Sequence, residues 1–337
     1  MNLYILLASL LAFAAMTSAA PSPDEQAKFL AGLKTKNPGL ASLSKGPVWG
    51  SHAASLEKKW NSMESRQLAA ARKWAGGNMA LNRGSGAVFY PFSGPDFVYA
   101  YTLFPKASTY LLCGTEPAGS VPDISRMQPD HVTADLGNLR TALDTMLTTH
   151  YFITKDMRGD LSRGTIHGTL PLLYVFLART GCTIRNVEVT PTHAKIQFSG
   201  RGGKNQALHY FKTDLSNGGG HASYLSFCKQ HAPGATLVKS ASYLLHTDGF
   251  SSIRSFLLAN SAVIVQDDSG IPYRFFDSAH WNVKLHGTYR GPTEMFHKYH
   301  QTDLASAYAN GGGAPLGFAF GYSWQVSKGV LIQATRK

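Results

Sequence analysis

Acidic side chains follow three predicted strands of this sequence, and they are the residues best suited to chemistry. Asp96 follows the apolar run 87–92, Glu116 follows the run 109–113, and Asp268 follows the run 261–266. Paired carboxylates can act in hydrolysis as general acid and base, because a neighbouring charge raises one of the two pKa values. They can also hold a hard cation such as Ca²⁺ or Mg²⁺. We therefore predict that these three residues are catalytic, with the identity of any metal left open.

Further residues near the same strand ends are candidate ligand-binding residues. They are Ser93, Gly94, Asp123, Asp267 and His246. The alternative is that each aspartate only caps a helix or a turn, which is common for aspartate directly after a strand. The two interpretations differ in what a substitution changes, because a ligand-binding carboxylate affects binding whereas a cap affects stability.

A nucleotide cofactor has little support in the sequence. Gly94 and Glu116 have the spacing at which Rossmann proteins place a turn glycine and the acid that holds a ribose hydroxyl. Residues 93–96 nevertheless lack the G-x-G-x-x-G pattern, and Pro95 removes an N–H group that a phosphate would need. Pro95 instead suits the first position of a helix. We expect no cofactor.

Zinc and serine chemistry are also weakly indicated. His297 and His300 are three residues apart on a predicted helix, but the aromatic residues around them favour an ordinary packed face. The sequence contains neither H-E-x-x-H nor G-x-S-x-G, the patterns of zinc proteases and of α/β-hydrolases.

The elements that position the acids form a β-α-β unit in residues 87–123. The run 87–92 predicts a strand, the segment up to Phe104 a helix, and the run 109–113 a second strand. Such a unit has a right-handed crossover, and ligands of open α/β sheets bind outside the carboxyl ends of the strands. This rule places Asp96, Glu116 and Asp268 on one edge of the sheet, and we expect them to line one cleft.

Alternation of strands and helices continues along the chain. It predicts an α/β fold with three layers and a mostly parallel, Rossmann-like sheet. Runs 273–276 and 281–289 predict antiparallel strands near the C-terminus, and residues 296–309 a helix. We divide the chain into a signal peptide (1–20), a surface lead-in with an amphipathic helix (21–80) and a single α/β domain (81–337).

The first 20 residues have the pattern of a secretory signal peptide. An apolar core of about a dozen residues ends in small residues, with Thr17 and Ala19, or Ser18 and Ala20, at the positions that a signal peptidase reads. No later run is long enough to span a membrane. We expect a secreted or periplasmic protein without a transmembrane segment in the mature chain.

The chain is basic although it carries few charges. Charged residues make up 15% of the sequence, and the net charge is +12. Lysine and arginine occur singly, without the runs of nucleic-acid-binding segments, so we expect no nucleic acid partner. Either a small molecule or an anionic polymer of the cell envelope fits a basic secreted chain, and a general surface charge without a dedicated partner is the alternative.

Three cysteines allow one disulfide bond in an oxidising compartment. Cys113 ends a predicted buried strand and is interpreted as a core residue. The possible pair is then Cys182 with Cys228.

The sequence motifs resemble those of a bacterial family. The phrases FYPFSGPDFVYAYTLFP, YLLCGTEPAG and QDDSGIPY are similar to those of a family of uncharacterised secreted bacterial proteins, over residues 60–322. The resemblance implies secretion and no particular activity. The layout also resembles a methyltransferase-like sheet, which is an analogy of fold alone.

Two classes of function follow from these observations. The first is a protein that binds a ligand at the carboxyl ends of the strands. The second is a hydrolase that uses the Asp and Glu residues, with or without a divalent cation, on an envelope or extracellular substrate.

Processing of the N-terminus is the first testable outcome. Small residues close the apolar run, so cleavage should leave a mature chain that begins at Ala20 or Pro21. The intact mass of the secreted protein measures this directly. A mass that corresponds to a chain with residues 1–19 still present would contradict the predicted signal peptide.

Overall fold

The computed structural model describes residues 19–79, 86–151, 159, 162, 164–322 and 325–337. Apart from residues 19 and 20, the predicted signal peptide lies outside the described residues. Within the described part of the chain, no helix is long and apolar enough to cross a membrane.

Within the described residues, one sheet of nine strands organises the fold. The strands are β1 (Ala87–Tyr90), β2 (Thr109–Gly114), β3 (Thr183–Val189), β4 (His193–Ser199), β5 (Asn205–Lys212), β6 (Gly234–Val238), β7 (Ser261–Gln266), β8 (Trp281–Gly287) and β9 (Val330–Arg336). Their order across the sheet is β3-β4-β5-β2-β1-β6-β7-β9-β8. The five central strands, β5 to β7 in this order, are parallel. Both edges are antiparallel, as predicted for the C-terminal edge.

Helices cover both faces of the sheet. They are α1 (Pro23–Leu30), α2 (Pro38–Leu43), α3 (Pro47–Met63), α4 (Ala69–Asn78), α5 (Phe97–Leu103), α6 (Pro129–Thr149), α7 (Leu170–Arg179), α8 (Ala222–Gln230), α9 (Ser251–Asn260) and α10 (Thr302–Gly311). Buried residues of α1 to α7 form one core cluster, and those of α8 and α9 belong to a second. The fold is therefore the predicted three-layer α/β arrangement.

Side chains of the central strands alternate between the two clusters. Val88 and Tyr90 point into the first cluster, whereas Phe89 points into the second. This is the two-residue period of a strand that is buried on both faces. The central sheet therefore lies between two apolar layers, and it is exposed at the ends of its strands.

The crossovers reverse direction between β1 and β6. From β1 the chain moves through β2 to β5 with α5 to α7 on the first face, and it then returns to β6 and β7 with α8 and α9 on the other. Doubly wound sheets open a crevice at the carboxyl ends of the strands where this reversal occurs.

The N-terminal helices are part of the core. Phe29, Leu30 and Leu40 have no solvent exposure and join the cluster that packs on the sheet. The prediction of a surface lead-in was therefore wrong for these residues. The few apolar side chains of these two short helices give too weak a period to reveal this burial in the sequence.

Two predicted elements near the C-terminus differ from the structure. Residues Tyr273–Phe275 form a 3₁₀ turn rather than a strand, and the predicted helix 296–309 is split into a 3₁₀ segment, Glu294–Tyr299, and α10. Gln301 lies at the split. Its side chain accepts a hydrogen bond from the Tyr273 amide and donates one to the backbone oxygen of Asp268. Tertiary hydrogen bonds therefore override the local helical pattern.

The cysteines are three buried thiols. Cys182 and Cys228 belong to core clusters on opposite faces of the sheet, so the suggested disulfide does not form. Cys113 is a core residue of β2, and burial raises its pKa to about 12.

Candidate functional site

Strained backbone surrounds the crevice between β1 and β6. After β1, Phe92 has a φ of 59°, and after β6, Ser240, Ser242 and Tyr243 have φ angles of 53°, 52° and 55°. Non-glycine residues rarely adopt this left-handed conformation, and such residues cluster at functional sites. Residues 240–243, which we call the 240–243 turn, contain three of them in a row of four.

Hydrogen bonds from neighbouring loops hold this turn. Asp267 Oδ2 accepts from the Ser240 amide at 3.0 Å, and Ser269 Oγ accepts from the Ala241 amide at 2.8 Å. The Tyr322 hydroxyl accepts from the Ser242 amide at 2.8 Å. Since these partners come from two separate later segments, the surrounding fold rather than the local sequence fixes the strained conformation.

The first cavity at this edge, the switch-point cavity, has a volume of about 220 Å³. Its lining includes Gly94, Glu116 and Asp214 on the polar side, and Phe92 and Phe250 on the apolar side. The first three residues of the 240–243 turn form part of its wall. It lies at the carboxyl ends of β1, β2, β5 and β6, where the topology predicts a ligand.

Glu116 is 4% exposed and borders this cavity. Thr115 donates a hydrogen bond to its Oε1 at 2.9 Å, whereas no donor of the described residues reaches Oε2. No described basic side chain lies within ion-pair distance of the carboxylate either. A shielded carboxylate without a counter-charge is stabilised by hydrogen-bond donors, which a ligand or water can supply.

Two glycines create the space around Glu116. A Cβ atom on Gly114 would lie 2.9 Å from Glu116 Oε2 and 3.2 Å from the Cα atom of Gly94. Gly94 has a φ of 52°, and a Cβ atom there would meet nothing within 4 Å. The close approach of the β1 loop to β2 thus requires glycine at 114, while Gly94 adds a bare stretch of backbone to the cavity.

Ser93 joins the β1 loop to β2. Its hydroxyl accepts a hydrogen bond from the Cys113 amide at 3.1 Å and lies within bonding distance of two backbone oxygens. The side chain is 5% exposed, and its hydrogen bonds are directed to the backbone, so it positions Gly94 rather than facing the cavity.

Asp96 is not part of the cavity lining and forms a buried ion pair with Lys239. Their side chains are 3% and 2% exposed, and Lys239 Nζ is 3.0 Å from Asp96 Oδ2. Asp96 also accepts hydrogen bonds from the Tyr90 hydroxyl and from the Tyr99 amide, and the latter caps α5. Lys239 donates to the backbone oxygen of His150. Every partner of this carboxylate is an interior group of the protein.

A second cavity, the Asp268 cavity, lies on the other side of the 240–243 turn and has a volume of about 440 Å³. Asp268, Tyr243 and Tyr322 form part of its lining, with Arg290 and Lys328 as its basic residues. The Tyr243 hydroxyl donates to Asp268 Oδ2 at 2.5 Å. Burial, followed by the negative charge of Asp267, raises the pKa of Asp268 to about 7.

Asp267 and His246 support the loops around Asp268. Asp267 is fully buried and accepts hydrogen bonds from Ser240, as above, and from the amide and hydroxyl of Ser269. Burial raises its pKa to about 6 despite these bonds. His246 Nε2 lies 3.2 Å from the backbone oxygen of Asp268, and burial lowers its pKa to about 4, so the imidazole is neutral at pH 7.

Asp123 lies away from both cavities. It caps the 3₁₀ turn Ile124–Arg126, accepts from the amide and hydroxyl of Ser125, and pairs with Arg126. This placement follows the capping interpretation of the sequence.

The structure brings the predicted acids to one edge but divides them. Glu116 borders the switch-point cavity and Asp268 borders the Asp268 cavity, while Asp96 is among the lining residues of neither. No group of three or more potential metal ligands occurs among the described His, Cys, Asp and Glu residues. What the two cavities share is the 240–243 turn.

Sequence reasoning missed Lys239 and the 240–243 turn. Lys239 directly follows β6, and the turn directly follows Lys239. A lysine at the end of a buried strand indicates a buried counter-charge. Nothing in the sequence indicates the left-handed backbone, because the turn contains no glycine.

Comparison of the chain with protein-family models, with curated proteins and with solved structures finds no match.

Substitution of the buried ion pair tests its structural role. Asp96→Asn or Lys239→Met alone leaves one buried charge unpaired, and each should lower the free energy of unfolding by about 3–5 kcal/mol. The double variant removes both charges and should cost less than either single variant. Urea denaturation measures all three, with Arg126→Met as the exposed-pair control, expected to cost about 0–1 kcal/mol. Additive losses in the double variant would contradict the pairing.

The pH dependence of stability tests the environment of Asp268. The folded protein keeps a proton on this group up to about pH 7, whereas the unfolded chain releases it near the ordinary value of 3.8. The raised pKa therefore contributes stability below about pH 4 that is lost as the pH rises through about 7. Asp268→Asn should gain stability relative to the parent between pH 4.5 and 7.5, measured by denaturant unfolding at both pH values. Parallel pH profiles would contradict a raised pKa.

Proposed function

We propose that this protein binds a small ring compound with neighbouring hydroxyl groups, such as a sugar or a nucleoside, in the switch-point cavity. The observation that carries the proposal is the Glu116 carboxylate, which is shielded, lacks a basic partner among the described residues and has one oxygen without a described donor. Two adjacent hydroxyls are a suitable pair of donors for a carboxylate. In doubly wound sheets, an acid at the end of the second strand commonly contacts a ribose hydroxyl.

The opposite wall of the cavity suits the face of a ring. Phe92 and Phe250 meet at 5.8 Å between ring centroids, and Leu244 lies beside them. Small-molecule sites combine such apolar surfaces with a few polar groups that fix orientation. The cavity therefore favours a flat or cyclic ligand over an open-chain polyol.

Anionic ligands are disfavoured in this cavity. Among the described residues, its two charged lining residues, Glu116 and Asp214, are both acidic, although the chain as a whole carries a net charge of +12. A phosphate at this position would be repelled by both, in agreement with the absence of a glycine-rich phosphate loop. The ligand is accordingly neutral or cationic.

Export is part of the proposal. The N-terminal sequence has the features of a secretory signal, and the resemblance to secreted bacterial proteins points the same way. A secreted or periplasmic binder would meet sugars and nucleosides outside the cytoplasm.

A second candidate function is hydrolysis at Asp268. This carboxyl faces a cavity of about 440 Å³, carries a pKa close to neutrality and is hydrogen-bonded to Tyr243. A carboxylic acid with such a pKa is suited to general acid catalysis. In this alternative, a ligand binds on one side of the 240–243 turn, and the acid Asp268 lies on the other side.

Replacement of Glu116 tests the binding proposal. Glu116→Gln removes the charge and replaces one acceptor by an amide donor, so affinity for a bound sugar or nucleoside should fall at least about tenfold, because hydrogen bonds to charged groups contribute about 1.5–3 kcal/mol. Stability should change by less than about 1 kcal/mol. Isothermal titration of a panel of neutral sugars and nucleosides measures affinity, and thermal unfolding measures stability.

Asp123→Asn is the matched control, because it changes the charge equally at a distant cap. It should bind like the parent. Equal binding by parent and Glu116→Gln would overturn the proposal. A panel compound that the parent consumes and Asp268→Asn does not would establish the second candidate instead.

A further inference from the structure

A basic cavity lies at the opposite, amino edge of the sheet. It has a volume of about 300 Å³ and opens between the N-terminal helices and the turn that joins β4 to β5. Its basic side chains come from three separate segments: Arg72 from α4, Lys106 from the connection between α5 and β2, and Arg201 and Lys204 from the β4–β5 turn.

The charges of this cavity are not balanced. Glu64 is the acidic lining residue, and it is already paired with Arg72, whose Nη1 is 3.1 Å from Glu64 Oε2. Lys106, Arg201 and Lys204 have no acidic partner among the described residues. Three unpaired cations converge here, although basic residues are scattered singly along the sequence, and such convergence creates a local positive potential.

Backbone contacts hold two of these cations in place. Arg201 Nε donates to the backbone oxygen of Thr180 at 2.7 Å, and the Arg201 amide donates to the Tyr101 hydroxyl at 3.1 Å. Lys204 Nζ donates to the backbone oxygen of Lys106 at 3.1 Å. The remaining N–H groups of both side chains are available to a ligand, since a guanidinium has five donors and an ammonium three.

Aromatic and irregular elements complete the cavity. Trp60 and Tyr101 form part of the lining, and both are nearly buried. The π-helix Glu64–Leu68, which separates α3 from α4, contributes Glu64 and Leu68. Short π-helical turns are rare and frequently occur at functional sites.

We propose that this cavity binds a phosphate monoester. Three unpaired cations match a dianion better than a singly charged carboxylate, and arginine with lysine is the usual pair of side chains for phosphate. The organic part of the ester then packs against Trp60 and Tyr101. This site is separate from the switch-point cavity, whose charged lining residues are acidic, and it does not depend on the proposed function.

Titration with three compounds tests the site: inorganic phosphate, phenyl phosphate and benzoate. Phenyl phosphate should bind more tightly than inorganic phosphate, because only the ester supplies a ring, and more tightly than benzoate, because only phosphate is dianionic. Arg201→Ala/Lys204→Ala should lower the affinity for phenyl phosphate at least about tenfold. Lys106→Ala changes a single exposed side chain and should lower the affinity for phenyl phosphate by a smaller factor. This variant still tests the site if the double variant of the turn fails to fold.

Lys73→Ala/Lys229→Ala is the charge-matched control, since both lysines are exposed and lie outside the cavity. It should bind phenyl phosphate like the parent. Equal losses of affinity in the two double variants would mean that only the net surface charge matters, and they would overturn the proposal. Failure of the parent protein to bind phenyl phosphate would overturn it as well.

Discussion

The buried ion pair between Asp96 and Lys239 is the interaction on which the carboxyl edge depends. It joins the loop after β1 to the end of β6, the two strands between which the crossovers reverse. Burying two charges is costly unless their other hydrogen-bonding positions are also satisfied. Here Tyr90 and the α5 amino end serve the carboxylate, and the His150 backbone oxygen serves the ammonium group. The pair therefore ties together two segments whose neighbouring residues, Gly94 and Ser240, line the switch-point cavity.

The acidic residues at the carboxyl edge of the sheet have different roles, which depend on their hydrogen-bond and ion-pair partners. Asp267 accepts hydrogen bonds from Ser240 of the 240–243 turn and from Ser269, and Asp96 is neutralised by Lys239. Glu116 and Asp268 border cavities, one on each side of the turn. Of these four carboxylates, two thus support the structure and two border cavities in which a ligand could bind. The strained backbone of the 240–243 turn lies between the two cavities.

The sequence predicts the central architecture well, because buried parallel strands and their helices have strong local patterns. Strand β7 has the predicted bounds, and β1, α5 and β2 occur in the predicted order. Strand β9 was not recognised, since it follows a loop-rich region near the chain end. The capping role of Asp96 was foreseen as an alternative, but its partner was not, because Lys239 is 143 positions away in the sequence and only the fold brings it near.

The division of the acids into two cavities lies beyond sequence reasoning for a related reason. The strand-end rule assigns residues to an edge of the sheet, and it does not describe the loops that rise between them. The left-handed turn at 240–243 depends on Tyr322 and Ser269, whose positions follow from packing of the whole C-terminal half. Local sequence patterns contain no information about such contacts.

A crystal structure of the protein with a bound sugar or nucleoside from the panel tests the central claim most directly. The account predicts the ring against Phe92, Phe250 and Leu244, with two hydroxyl oxygens within about 3 Å of the Glu116 carboxylate, the usual hydrogen-bond distance. A ligand found only in the Asp268 cavity or at the amino edge, with Glu116 untouched, would contradict it.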